Sequence, residues 1–243
     1  MIRPFHISGT SILLLASSLL GLQIPENFSF LIPTDRRINI EELFANINSP
    51  GNLAICHAEG NCTKNGEFTS LYYGHIDPSK IDGKRVLNQG FCSDYGKSKV
   101  GDINAANRGC LLRIKSRLPK LTSLFQQQNI DINQHKIAFI NSVDLWNQAA
   151  PRVSDNFPQF YANNIHNGLP VDSAIRKARV DAFNHRARGL FNICVREPYY
   201  RNRLKLYSQY SRSWKRKCID IDQNRRRLAI NSVLRNKDAS RKR

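Results

Sequence analysis

The stretch CHAEGNCTKNGEFTSLYYGHIDP, Cys56–Pro78, joins two kinds of chain. Upstream of it, Ser49-Pro50 opens a helix with proline at its first position, and Gly60 is a natural stop. Glu59 falls on the last turn. Downstream, Gly66, Gly74, Gly83, Gly90 and Gly96 punctuate short runs such as FTSLYYGH, the pattern of turns and short strands. The reading is therefore a helix that ends on a carboxyl and feeds a small irregular β lobe. His57, Glu59, Tyr72, Tyr73, His75 and Asp77 are crowded into that junction.

Helices dominate on either side. In NIEELFANI, Asn39 is an N-cap, and Ile40, Leu43, Phe44 and Ile47 form an amphipathic stripe. After the lobe, DINAANRGCLLRIKSRL reads as a helix stopped by Pro119. INQHKIAFINSVDLWNQA follows, with Ile137, Ile140 and Val143 on one face, and Phe139 and Trp146 read as core. DSAIRKARVDAF is capped by Asp172 and faces inward through Ala174, Ile175, Ala178 and Ala182. In DQNRRRLAINSVL the apolar residues are Leu228, Ile230, Val233 and Leu234, with the arginines facing out. The expected organisation is a signal or signal anchor over 1–24 and an extended segment over 25–38. One domain over 39–235 follows, then a solvated basic tail over 236–243.

The 243 residues suit one domain, and 41% hydrophobic content is enough for a core. The net charge of +18 is uneven: His185–Arg243 carries 18 basic and 4 acidic side chains. The basic region over 185–235 is thus a feature of the C-terminal quarter. It is suited to nucleic acid, anionic lipid or an acidic envelope polymer.

The N-terminus selects among these. Arg3, an apolar run centred on Ile12–Leu22 and then Pro25 have the layout of a secretory signal. The run falls short of the ~20 residues of a spanning helix. Six cysteines, Cys56, Cys62, Cys92, Cys110, Cys194 and Cys218, agree with an oxidising compartment. Fifteen pairings are open, and loop positions favour local pairs such as Cys92–Cys110 and Cys194–Cys218. The expected location is periplasmic or secreted, with membrane anchoring through the N-terminus as a variant. Tyr207, Tyr210 and Trp214 are interleaved with arginine and lysine, as in single-strand binders, but export makes nucleic acid the weaker partner.

Glu59 is the leading catalytic candidate. A carboxyl at the negative end of a helix dipole and beside tyrosines has the setting of a general acid. A glycosidase needs a second carboxylate or a positioned water. Asp77 is the nearest, with Asp94 behind it, while Thr69 and His75 are placed to assist. Tyr72 and Tyr73 offer faces for pyranose rings. Asn88, Asp144 and Asn147 complete the substrate-binding candidates. The alternative is a structural role for Glu59, capping amides of the next loop. His57-x-Glu59 and His75-x-Asp77 are two-residue pairs of metal-ligand type. No CxxC accompanies them, so no metal or other cofactor is expected. His135, His166 and His185 are isolated, and Gly-x-Ser-x-Gly is absent.

The segment resembles the lysozyme-like superfamily, in which a helix ends on the catalytic glutamate and a hairpin packs across it. Glu59-Gly60, Thr69 and Gly74-His75 stand in that order. The resemblance implies an α+β, mainly helical, lysozyme-like fold with Glu59 as the acid. The second carboxylate of the phage-type enzymes has only Glu67 near its place.

A wider resemblance covers most of the chain. AEGN…T…YYGH.DP…N.GFC (Ala58–Cys92), DLWNQAAP (Asp144–Pro151), AIRKAR (Ala174–Arg179) and DQNRRRLAI (Asp222–Ile230) look like an exported cyanobacterial family of unassigned function. That family's form of the first motif is similar to AEGT…T…YYGHTDPGN, and Ser79-Lys80 departs from it. This resemblance implies one continuous fold and supplies no activity. The resulting expectation is a peptidoglycan hydrolase or lytic transglycosylase held on its polymer by basic residues. A non-catalytic glycan-binding envelope protein is the alternative, and a nucleic-acid-binding protein the third reading.

Overall fold

The computed structural model describes residues 39–76, 87–95, 101–183 and 188–241, with the backbone alone for 95, 188 and 236–241. The expected signal (1–24), the extended segment (25–38), Asp77, Ser79-Lys80 and His185 lie outside the described residues. Among the described residues, no helix is long and apolar enough to cross a membrane.

The chain is mainly helical, with one small sheet. α1 (Ile40–Leu43) is capped by the Asn39 side chain. α2 (Pro50–Glu59) starts on Pro50 and stops at Gly60, whose φ of +86° favours a residue without a Cβ. The lobe then opens with a helical turn, α3 (Ser70–Tyr73), where turns and strands were expected. Short strands β1 (His75–Ile76), β2 (Leu87–Gln89) and β3 (Asp94–Tyr95) form an antiparallel sheet in the order β1-β2-β3. His75 stands opposite Asn88, and Gln89 opposite Asp94.

The helical body follows. α4 (Ile103–Gln126) runs straight through Pro119, which the sequence had marked as a stop. Proline inside a helix costs about 3 kcal/mol. Leu118, Leu121 and Phe125, all buried around it, supply the packing that overrides this. α5 (Lys136–Gln148) lies against α4, and Phe125 meets Phe139 at 5.5 Å between ring centroids. A short turn α6 (Pro151–Ser154) leads to α7 (Phe157–His166). The sequence reading missed α7. Its Phe157 and Tyr161 stack at 5.9 Å and extend the aromatic core.

α8 (Val171–Phe183) buries Ala174, Ile175, Ala178 and Ala182 as expected, and Arg179 as well. α9 (Arg188–Arg196) and α10 (Pro198–Leu204) precede the last helix, α11 (Arg212–Arg241). α11 occupies much of the region expected to be a free tail. It lies along α2, α8 and α5, so the first long helix and the last are neighbours. Its inward face reads Cys218, Asp222, Arg226, Ile230 and Val233, while Leu228 is exposed. The expectation that its arginines face out is thus corrected at Arg226, which finds carboxylates inside.

Three disulfides close the structure: Cys56–Cys62, Cys92–Cys110 and Cys194–Cys218. Among the described residues no cysteine is free. Such pairing is the mark of an oxidising, extracytoplasmic environment.

Candidate functional site

Glu59 ends α2 because the next residue turns the chain. The Gly60 N–H reaches the carbonyls of Cys56 and His57, and the Asn61 N–H also bonds Cys56. The Cys56–Cys62 bridge ties the exit back onto the helix. The carboxyl of Glu59 is then held from two sides. Its Oε1 accepts from Arg226 Nη2 at 2.6 Å and from Asn147 Nδ2 at 2.8 Å. Oε2 has no hydrogen-bond partner among the described residues. The side chain is 14% exposed, so this oxygen lies at the rim of the body rather than deep within it.

Behind Glu59 stands a buried charge network. Arg226 donates to both oxygens of Asp144, at 2.6 and 3.0 Å. Arg179 donates to Asp144 at 2.7 Å, to the Asn141 carbonyl at 2.9 Å and to Gln223 at 2.8 Å. Asp144 and Arg179 have no exposed side-chain surface. Burial pushes the Asp144 carboxyl up, but Arg226 and Arg179 outweigh it and hold it below the ordinary carboxylate value. Burial likewise pulls Arg226 down, and Asp144 with Glu59 lifts it well above its usual value.

A neighbouring cluster uses Asp222, which accepts from Tyr200 at 2.7 Å, Gln148 at 2.7 Å and Arg225 at 3.2 Å. Burial raises this carboxyl, and Arg225 and Arg226 bring it below the ordinary value. Arg225 also donates to the Ala58 carbonyl at 3.0 Å, tying α11 to the last turn of α2.

A pH prediction follows from these carboxyls. Lowered folded-state values mean that the unfolded chain binds more protons in acid. The stabilisation is complete above the unfolded aspartate value of about 3.9 and is lost as pH falls from there through the lower folded values. Unfolding free energy measured from pH 6 downward should be level to about pH 4 and then fall. Asp222→Asn should flatten the fall, and an unchanged slope would exclude Asp222 as a source of it.

No family model, curated protein or solved structure matches the chain.

The other candidates divide clearly. Asn147 meets Glu59, and its Nδ2 also donates to the Cys92 carbonyl at 3.0 Å, so it joins helical body and lobe. Thr69 donates to the Gly60 carbonyl at 2.7 Å and fixes the lobe's start beneath Glu59. Tyr73 is 61% exposed beside Tyr72 and presents a free ring face. Tyr72 is buried, stacked on Phe68 at 3.8 Å, and its hydroxyl accepts from Asn107. It is therefore a core residue rather than a sugar platform. Asp144, a binding candidate on sequence grounds, is the counter-ion of two buried arginines and cannot reach a ligand. Asn88 is likewise buried, in the central strand β2.

His75 Nδ1 lies 3.0 Å from the Leu71 carbonyl, and His57 Nδ1 lies 2.7 Å from the Cys62 carbonyl. Asp94 is buried and paired with Arg113, which removes it as a second carboxylate. Glu67 bonds Thr63 on the exposed side of the lobe. Among the described residues no three His, Cys, Asp or Glu side chains group as a metal site.

Arg226, Arg179 and Arg225 were missed by the sequence reading. A signal existed: Asp144 sits between Val143 and Leu145, on a helix that also carries Phe139 and Ile140, and a carboxylate buried there requires a cation.

Proposed function

We propose that the protein is an exported, glycan-cleaving protein of lysozyme-like type acting on peptidoglycan, with Glu59 as its general acid. The observation that carries this reading is the carboxyl at the end of α2. Arg226 and Asn147 orient it through Oε1, leaving Oε2 for substrate. In this reading Oε2 is the oxygen that faces the glycosidic oxygen and passes the proton to it. Tyr73 offers a ring face for a sugar, and His75 stands two residues further on. Asp77, which follows the GH of the lobe in sequence, is the candidate carboxyl for the opposite face of the sugar. The three disulfides support placement outside the cytoplasm.

The test is direct. Wild type and Glu59→Gln are incubated with purified peptidoglycan, and released muropeptides are read by mass. Release by wild type and a loss of about 100-fold or more in the variant is the expected result. The product mass separates hydrolysis from anhydro-forming transglycosylation.

One observation favours a second reading. A guanidinium 2.6 Å from Oε1 makes Glu59 a natural ion-pair partner, as a structural carboxylate would be. A non-catalytic envelope protein would use Glu59 to fix Arg226 and would bind glycan without cutting it. Retention of both proteins on the sacculus, with release by neither, selects this reading and removes the first.

A further inference from the structure

Away from Glu59, α8 and the start of α11 line an open groove of about 460 Å³. Along α11, Asp220 precedes Arg226 by six residues, roughly 9 Å of helix. The groove is therefore separate from the carboxyl described above. Four cations line it: Arg176, Lys177, Arg216 and Lys217. Two carboxylates serve all four. Asp220 takes both ends of Arg176 at 2.7 Å and Lys217 at 3.2 Å. Asp181 is shared between Lys177 and Arg216. Among the described residues the cluster thus keeps a surplus of two positive charges.

That surplus is not needed to hold the helices together. α8 and α11 are joined by the buried Arg179–Gln223 bond and by apolar packing. The cations themselves are substantially exposed, and exposed pairs contribute little. Like charges crowded around shared carboxylates repel, and an incoming anion relieves the repulsion. The remaining lining fits a sugar. Ser173 and Ser213 bring hydroxyls, Val180 an apolar floor, and Tyr207, 37% exposed, a ring. From Ser173 to Val180 the groove follows seven residues of helix, about 10 Å, the length of roughly two sugar units.

We infer that this groove binds a run of acidic sugars, so that the protein grips an anionic glycan at a place distinct from Glu59. The inference rests on the envelope-glycan reading above, in its cleaving or its binding form. Arginine and lysine contact the acid groups, the hydroxyls bond ring oxygens, and Tyr207 stacks on a sugar face. Two of the four cations, Arg176 and Lys177, come from α8 rather than from the basic C-terminal region. The grip is therefore a property of the fold and not of bulk charge.

The experiment measures binding of tetragalacturonate, with neutral maltotetraose as the comparison, by calorimetry at low salt. Wild type should bind the acidic oligomer and not the neutral one. Lys177→Gln, Arg216→Gln and Lys217→Gln together should weaken binding by about tenfold or more. A control lacking the exposed Lys64, Lys115 and Lys120, with equal loss of charge, should bind like wild type. Tyr207→Ala keeps every charge and should also weaken binding, which tests the site if the triple variant is destabilised.

Equal weakening in the control triple, or no binding by wild type, overturns the inference. So does groove-dependent binding of single-stranded DNA or of anionic phospholipid vesicles in place of the oligomer. Glu59→Gln should bind the oligomer as wild type does. Absent muropeptide release with groove binding intact would remove the cleaving reading alone. Release without groove binding would remove this inference alone.

Discussion

Asp144→Ala should cost the protein about 5 kcal/mol or more and leave little folded chain at 37 °C. Removing one partner of a buried pair costs about 3–5 kcal/mol, because the other charge stays behind without water or counter-ion. Here two guanidiniums, Arg179 and Arg226, depend on the same carboxylate. Among the described residues, Arg179 keeps bonds to Gln223 and Asn141, and Arg226 keeps only Glu59. The midpoint of urea unfolding measures the loss. The decisive companion is Asp144→Leu with Arg179→Met and Arg226→Met. That triple should recover most of the stability, since apolar residues of similar size replace buried ion networks at little cost. A single variant that unfolds at the wild-type midpoint would show that the network contributes nothing.

Reduction should act on the same scale. Chain-entropy arguments assign roughly 2 kcal/mol to Cys56–Cys62 and about 3 kcal/mol to each of the longer loops, Cys92–Cys110 and Cys194–Cys218. Together these approach the ~5–15 kcal/mol net stability of a typical domain. Dithiothreitol under native conditions should therefore unfold the chain or bring it to the edge of unfolding, read as loss of near-ultraviolet dichroism. The wild type should regain its signal on reoxidation. A thermal midpoint unmoved by complete reduction would mean that packing alone suffices.

Local signals were legible in the sequence and paired charges were not. Pro50 and Gly60 announce α2 because each fixes a backbone angle by itself. Ala174, Ile175, Ala178 and Ala182 announce the inner face of α8 through spacing. Cys92–Cys110 and Cys194–Cys218 are local pairs that loop positions favour, and both form. Arg226 was misplaced because a helical wheel assigns arginine to solvent unless its partner is known. That partner, Asp144, lies 82 residues away on another helix. Asp144 reads in the sequence as a binding candidate or as a solvated or capping residue, for the same reason. Pro119 misled in the opposite direction: a strong local breaker lost to the tertiary packing of Leu118, Leu121 and Phe125. At the candidate site, Glu59 and Asn147 were both named, but the arginine that joins them to the core was not.

The contact between α2 and α11 sets a clock on the site. Glu59 and Arg226 are 167 residues apart in the chain, and their bond cannot form until the final helix is made. At ribosomal speeds of about 5–20 residues per second, the carboxyl waits roughly 10–30 s for its guanidinium. A nascent chain, or one cut short before residue 226, carries Glu59 without the residue that aims it. Synthesis of α11 is thus built into the assembly of the site, and a chain that ends before Arg226 holds its acid from the Asn147 side alone.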